Sequence, residues 1–255
     1  MVILKTASEI EKMRAAGRVV YQALQAMKNA IVPGQTTTYD LEKAAIEVLN
    51  AHGATSPFLG YAPHNHPPFP AWTCISVNEE VVHGIPGRRV LQEGDIVSCD
   101  VGVQLNGYYA DSAWTFPVGQ ISEEAQRLLK VTREALYKGI AQAKAGNRVG
   151  DIGHAIERHV SQHGYSIVRD LVGHGVGRSL HEDPQIPNYG RPGTGIVLEP
   201  GMTIAIEPMV NIGRRDIQAL ADEWTIVTSD RTLSAHFEHT VAITRNGALI
   251  ITQGD

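Results

Sequence analysis

Apolar positions recur at helical spacing over residues 6–27. Ile10, Met13, Ala16, Gly17, Val20 and Leu24 fall on one face, and Ser8 stands where an N-cap belongs. Pro33-Gly34 ends that helix. A second helix is predicted over 38–52 from Leu41, Ala44, Ala45, Val48 and Leu49, with Gly53 as its stop. The segment 62–71 carries Pro63, Pro67, Pro68 and Pro70, which excludes a helix or a central strand. Strand-like runs follow at 74–77, 95–103 and 108–116, and Asn106-Gly107 between the last two predicts a hairpin. Helical spacing returns over 122–145, opened by Ser122, and over 151–163, stopped by Gly164. Strand patterns then dominate at 202–210, 217–227, 237–244 and 248–251.

Two helices followed by strands therefore occur twice, and the two passes echo each other. Residues 91–103 match 198–210 at a distance of 107 positions, which aligns Asp100 with Glu207. Asp40-Leu41 and His52-Gly53 match Asp151-Ile152 and His163-Gly164 at 111 positions; His83-Gly84-Ile85 matches His174-Gly175-Val176 at 91. That period is too long for a solenoid. The expectation is an α/β (α+β) chain: one domain over 1–255, with halves of about 1–117 and 118–255 related by a pseudo-twofold around one curved mixed sheet. A ligand cleft is expected between the halves.

Composition narrows the partners. The chain is 43% hydrophobic and 19% charged, the balance of a folded globular protein. A net charge of −5 without a basic block argues against nucleic-acid or membrane-surface binding. Two cysteines cannot build a disulfide framework, so a reducing compartment is expected. Met1 to Leu4 is too short an apolar start for a signal peptide, and no apolar run approaches the roughly 20 residues of a membrane span. A cytoplasmic location follows as an expectation. Eleven histidines stand out.

Asp100 lies in the apolar run Ile96–Val103, where a buried carboxylate needs a partner or a metal. Asp111 follows the hairpin turn, which puts it near Asp100 on the adjacent strand. For this pair alone, one Asp paired with an arginine and the other at a strand end is an equal explanation. Glu207 repeats the Asp100 position, and Glu238 shares a strand face with Thr240 and Ala242. His174, framed by Gly173, Gly175 and Gly177, has an uncrowded backbone. His83 has a similar setting, and His181 follows seven residues after His174. Four carboxylates and an imidazole suit Mn, Fe, Co or Zn divalent ions, and carboxylates can bridge two ions about 3.5–4 Å apart. His64 and His66 read as part of a solvated Pro-rich loop rather than a further metal site, and Cys99 as a small core residue.

In order and surroundings these residues resemble the ligand set of the methionine aminopeptidases, which have the pita-bread fold. The matching motifs are Ser76-Val77-Asn78-Glu79, His83-Gly84-Ile85-Pro86, Asp100-Val101-Gly102, Gly173-His174-Gly175-Val176-Gly177, His181-Glu182, Ile206-Glu207-Pro208 and Phe237-Glu238-His239-Thr240. They span nearly the whole chain. The layout resembles the bacterial type I form, with no long insertion between His174, Glu207 and Glu238 and no zinc-finger-like segment before the first helix.

The resemblance implies removal of the initiator methionine from nascent proteins and peptides with a small second residue, by water activated at two divalent ions. Asp100 would chelate one ion, Asp111 and Glu238 would bridge both, and His174 and Glu207 would complete the other. Glu207 would also carry the proton from water to the leaving amine. His181 would bind the scissile carbonyl and His83 the amide nitrogen. Tyr61, Cys74 and Trp224 would line the methionine pocket. Implied partners are nascent polypeptide N-termini, including those at the ribosome, and the implied state is a monomer. Two departures touch the pocket: Leu180 stands where the family often has Phe, and the segment 62–71 is longer by about four residues. A proline-specific pita-bread hydrolase would need a further N-terminal domain, and a non-catalytic pita-bread binding protein would have lost ligands that all stand here.

Overall fold

The computed structural model describes residues 2–63 and 66–254. Helix α1 (Ala7–Ala30) opens one residue before the position Ser8 was expected to cap. The cap is Thr6: its hydroxyl accepts from Glu9 N, and the Glu9 carboxylate accepts from Thr6 N at 2.8 Å. Helix α2 (Thr38–Ala51) is capped in the same reciprocal way by Thr37 and Asp40, and Gly53 ends it at φ 62°. Four strands follow: β1 (Cys74–Val77), β2 (Glu80–Val82), β3 (Ile96–Leu105) and β4 (Tyr108–Pro117). Asn106 and Gly107 both take positive φ, 52° and 77°, which gives the β3–β4 hairpin its tight turn. Helices α3 (Glu123–Gln142) and α4 (Val149–Gln162) form the second pair.

The remaining strands are short: β5 (Ser166–Ile167), β6 (Gly173–Gly175), β7 (Glu182–Ile186), β8 (Thr203–Ile206), β9 (Met209–Asn211), β10 (Ile217–Ala219), β11 (Ile226–Thr228), β12 (Ser234–His236), β13 (His239–Thr244) and β14 (Gly247–Ile250). They form four sheets, ordered β1-β3-β4, β10-β11-β2, β12-β9-β5 and β14-β13-β8-β6-β7. The strand pairings among the described residues are antiparallel, so the single mixed sheet expected from the sequence is instead divided and antiparallel.

Three predicted strands break. The run 202–210 parts at Glu207-Pro208 into β8 and β9, and 237–244 begins with Phe237-Glu238 outside β13. Pro208 has no N–H for a ladder. At these two points the chain passes between sheets, since β8 and β13 pair in one while β9 and β12 pair in another. The run 217–227 is a hairpin, turned at Asp222, whose carboxylate accepts from Trp224 N at 2.9 Å and Thr225 N at 2.8 Å.

Each helix pair covers its own strands. Met13, Leu24, Leu41 and Leu49 of α1 and α2 are buried with Val97, Val101 and Val103 of β3. Leu128, Leu136, Ile152 and Ile156 of α3 and α4 are buried with Ile204, Ile206 and Val241. Local contacts recur at the spacing seen in the sequence. Thr37 bridges to Val90, and Arg148 to Val197. Leu91 N bonds Thr36 O at 2.9 Å, and Leu198 N bonds Asn147 O at 2.7 Å. Gly94 and Gly201 take φ 93° and 96°.

Candidate metal centre and active site

Asp100 and Asp111 face the same side of the β3–β4 hairpin. Asp100 lies opposite Ala113 and Asp111 opposite Gly102, so the carboxylates are diagonal neighbours. Among the described residues no arginine pairs with either one. Thr240 of β13 reaches across: its Oγ1 lies 3.0 Å from Asp111 Oδ1 and accepts from Asp111 N at 3.1 Å. Ser112 Oγ donates to Glu238 O, and Glu238 N donates to Ala113 O at 2.8 Å. These bonds fasten the Phe237-Glu238 crossing to β4. Beneath them Thr252 Oγ1 accepts from Thr240 N at 3.1 Å and lies 2.9 Å from His239 Nδ1.

His174 enters from β6. A Cβ at Gly173 would overlap Ala205 O, and one at Gly175 would overlap Asp183 O, so the glycine frame lets this strand lie close against its neighbours. His174 Nδ1 lies 2.8 Å from Gly175 O, a bond in which Nδ1–H donates and leaves Nε2 as the free donor atom. Nε2 sits 3.4 Å from Asp111 Oδ2 and 3.6 Å from Glu207 Oε1. Donor atoms of Asp111, His174 and Glu238 all lie within 4.8 Å of one another. Asn188 Nδ2 bonds Glu207 O at 3.1 Å and steadies the other crossing.

All five of these residues, with His83 and His181, line one cavity of about 790 Å³. Burial and the neighbouring carboxylates push Asp100 and Glu238 well above the usual carboxylate range, and burial raises Glu207 to about 8. Burial opposes the His174 charge, but Asp111 and Glu207 outweigh it and hold the ring up at about 9. His181 lies against His174 with ring centroids 4.3 Å apart, and burial lowers it to about 4. Burial lowers His83 likewise to about 4.

The other wall is apolar. Phe69, Ala71, Cys74 and Trp224 form a small core with Phe58, Tyr61 and Ile85 against it. Trp224 stands 5.2 Å from the Phe69 ring and 6.5 Å from Tyr61, and its Nε1 donates to Pro67 O at 3.0 Å. Tyr61 stacks 5.2 Å from His181, which joins this wall to the polar one. The segment around Pro67 and Phe69 thus builds the wall, and Leu180 also lines the cavity. His64 lies outside the described residues; His66 is exposed, with its ring 5.4 Å from Trp224. Cys99 is buried in the core, as expected. His236 was missed from the sequence. It lines the cavity, and its buried Nε2 lies 3.8 Å from Glu207 Oε2. It stands one residue ahead of the predicted run 237–244 and two before Glu238, and that proximity was the available signal.

Residues 11–245 match the model of metallopeptidase family M24. The chain belongs to the M24 metallopeptidase family. It is similar to methionine aminopeptidase 1 of Bacillus subtilis, 52% identical over 99% of this chain and 100% of that one. Its structure is similar to the crystal structure of methionine aminopeptidase from Thermotoga maritima, with a TM-score of 0.95, 50% identity and full coverage of both chains. The prolidase of Pyrococcus horikoshii, at TM-score 0.79 and 22% identity, shares the fold over 100% of this chain and 65% of its own. The M24 match and these neighbours give the pita-bread architecture.

An M24 metallopeptidase uses divalent metal ions, and the cavity's donors fit them. Asp100 Oδ1 is buried without a hydrogen-bond partner. Asp100, Asp111, Glu207 and Glu238 share a space that no described lysine or arginine lines, an arrangement that is stable only with added positive charge or protons. The donors are oxygen and imidazole nitrogen; Cys74, also in the cavity, is buried with its thiol pushed up by burial, so it is an apolar wall residue rather than a thiolate ligand. No helix of the described residues is long and apolar enough to cross a membrane.

Proposed function

We infer that this M24 metallopeptidase removes the N-terminal methionine from peptides and nascent proteins, with a preference for a small second residue. The observation that carries the reading is one cavity in which Asp100, Asp111, His174, Glu207 and Glu238 meet an aromatic pocket. The 52% identity to a methionine aminopeptidase over the full chain supports the same substrate class.

Two divalent ions would be held by these five side chains: one by Asp100, the other by His174 and Glu207, with Asp111 and Glu238 shared. When bound, such a pair supplies a water acidified to a pKa of roughly 7 and positive charge for the carbonyl. The protein's own groups do the rest. Glu207 takes a proton from the attacking water and passes it to the leaving amine. His181 donates to the scissile carbonyl oxygen as charge builds there. His83, across the cavity beside Trp224 at 6.3 Å between rings, serves the amide nitrogen. Tyr61, Cys74, Phe69 and Trp224 take the methionine side chain, an unbranched apolar chain that suits an aromatic wall.

Residues 1–117 and 118–255 are read as halves of one catalytic domain, acting as a monomer in the cytoplasm on N-termini emerging from the ribosome. The test is cleavage of Met-Ala-Ser. Activity is expected to vanish in excess chelator and to return with Mn(II) or Co(II), while Met-Lys-Ser is cut far more slowly. Full activity in chelator overturns the metal reading, and equal rates on the two peptides overturn the second-residue preference.

A further inference from the structure

The described residues hold a second cluster of metal-ligating side chains, outside the active-site cavity. Glu134 on α3 meets His159 on α4 and His163, which caps the C-terminus of α4. Their donor atoms all lie within 4.8 Å of one another. We propose that Glu134, His159 and His163 form a surface site for a borderline divalent cation of the Zn(II) class, which clamps α3 to α4.

Five features carry this. His159 and His163 are four residues apart, so both imidazoles project from one helix face, the spacing that helical zinc sites use. His163 Nδ1 lies 2.8 Å from His159 O; its N–H donates there, which fixes the tautomer and frees Nε2 as a ligand. His159 Nε2 stands 3.1 Å from Glu134 Oε2. Two donors at about 2.0–2.1 Å from a tetrahedral ion are roughly 3.3 Å apart, so this pair needs almost no movement. The third donor is close by: the His163 ring centroid is 4.6 Å from that of His159. Two imidazoles and one carboxylate match the ligand preference of zinc and leave a fourth position for water.

The site lacks what hydrolysis would need. The residue after His159 is the fully buried Val160, so the glutamate of a His-Glu-x-x-His motif has no counterpart here. Its role is therefore to hold two helices together. The side chains remain reachable, with Glu134 39% exposed. Lys138 on α3 and Arg127, whose guanidinium donates to His163 O at 2.9 Å, bring positive charge nearby and weaken the affinity without removing a donor. Binding here makes helix-pair stability depend on zinc supply and adds one ion to those of the active site.

The experiment compares the metal-loaded enzyme with His159→Gln/His163→Gln and with Glu134→Gln, by equilibrium dialysis against Zn(II) and by thermal melting. The wild type is expected to bind one more equivalent of Zn(II) than the double variant. At a Zn(II) concentration a hundred times the Kd, its Tm should rise by roughly 5 °C more than the double variant's. Glu134→Gln, which conserves shape, should bind the extra ion at least tenfold more weakly. Methionine cleavage should match the wild type in both variants, which shows that they are folded and that the active site is untouched. Equal Zn(II) equivalents and equal Zn(II)-dependent melting shifts in all three proteins overturn the proposal, and that outcome leaves the catalytic reading standing.

Discussion

His181 sits where two environments meet, with Tyr61 on one side at 5.2 Å and His174 on the other at 4.3 Å. It lies beside the imidazole proposed as a metal ligand, yet its own proposed work is on substrate. His181→Ala is therefore expected to lower kcat about 10²- to 10³-fold while bound metal, counted by elemental analysis, stays at the wild-type level. Loss of metal would make it a ligand. Single residues were the most legible scale. A carboxylate inside an apolar run is costly enough to be informative wherever it stands, which is why Asp100, Glu207 and Glu238 could be picked out before any geometry. His236 could not, because an imidazole in a half-apolar strand is energetically ordinary until its Nε2 is found buried 3.8 Å from Glu207.

Among the elements, α1 carries two instructive positions. Propensity favours alanine over glycine within a helix by about 1 kcal/mol. At Gly17 a Cβ would overlap the carbonyl oxygen and side chain of Ile251, so packing opposes propensity. Gly17→Ala is expected to destabilise by about 1–3 kcal/mol in urea titration; a stabilised variant would mean that the 251 region moves freely. At the helix start Glu9 accepts from Thr6 N and pairs with Arg178 at 2.7 Å; the Thr6 bond and then the Arg178 pair lower its carboxyl from 4.5 to about 2. A lowered folded pKa stabilises above the unfolded value. That contribution is present above about pH 4.5 and drains away as pH falls towards 2. Glu9→Gln should thus lower Tm at pH 7 and have little effect at pH 2.5, measured by circular dichroism. Long helices were readable because their spacing repeats over enough residues, and the first long hairpin because Asn106-Gly107 marks its turn. The later strands around Glu207 and Glu238 were not. Apolar composition runs on through Glu207-Pro208 and Phe237-Glu238, while the chain changes sheets there, and hydrophobicity does not record which neighbour a strand pairs with.

For the whole molecule, the N-terminal segment is tied across to the second half. Lys5 N bonds Gly201 O at 2.7 Å, and its ammonium pairs with Glu182, the residue after His181, with the two side chains only 2% and 9% exposed. Glu182 also accepts from Arg178 N at 2.7 Å and Ser179 N at 3.2 Å, so it organises the turn that presents His181. Removing the cation leaves a buried carboxylate without its counter-charge, worth about 3–5 kcal/mol. Lys5→Met is expected to lower Tm by at least about 6 °C in calorimetry. An unchanged Tm would show that water reaches Glu182. The repeated halves were visible in the sequence because 91–103 and 198–210 keep their spacing. The tie between them was not, since a lysine ahead of the first helix carries no periodic signal.

Thr252 beneath Thr240 has a consequence for how the protein is made. Asp111 is held by Thr240, and Thr240 N is held in turn by Thr252, which is only 1% exposed. During synthesis the first two carboxylates emerge early, whereas the strand that braces them and the threonine under that strand emerge well over a hundred residues later. Folding from the N-terminus can assemble α1, α2 and the first hairpin, but it cannot close the centre. A chain whose proposed work is on polypeptides still growing cannot close its own centre until residue 252 has itself been made.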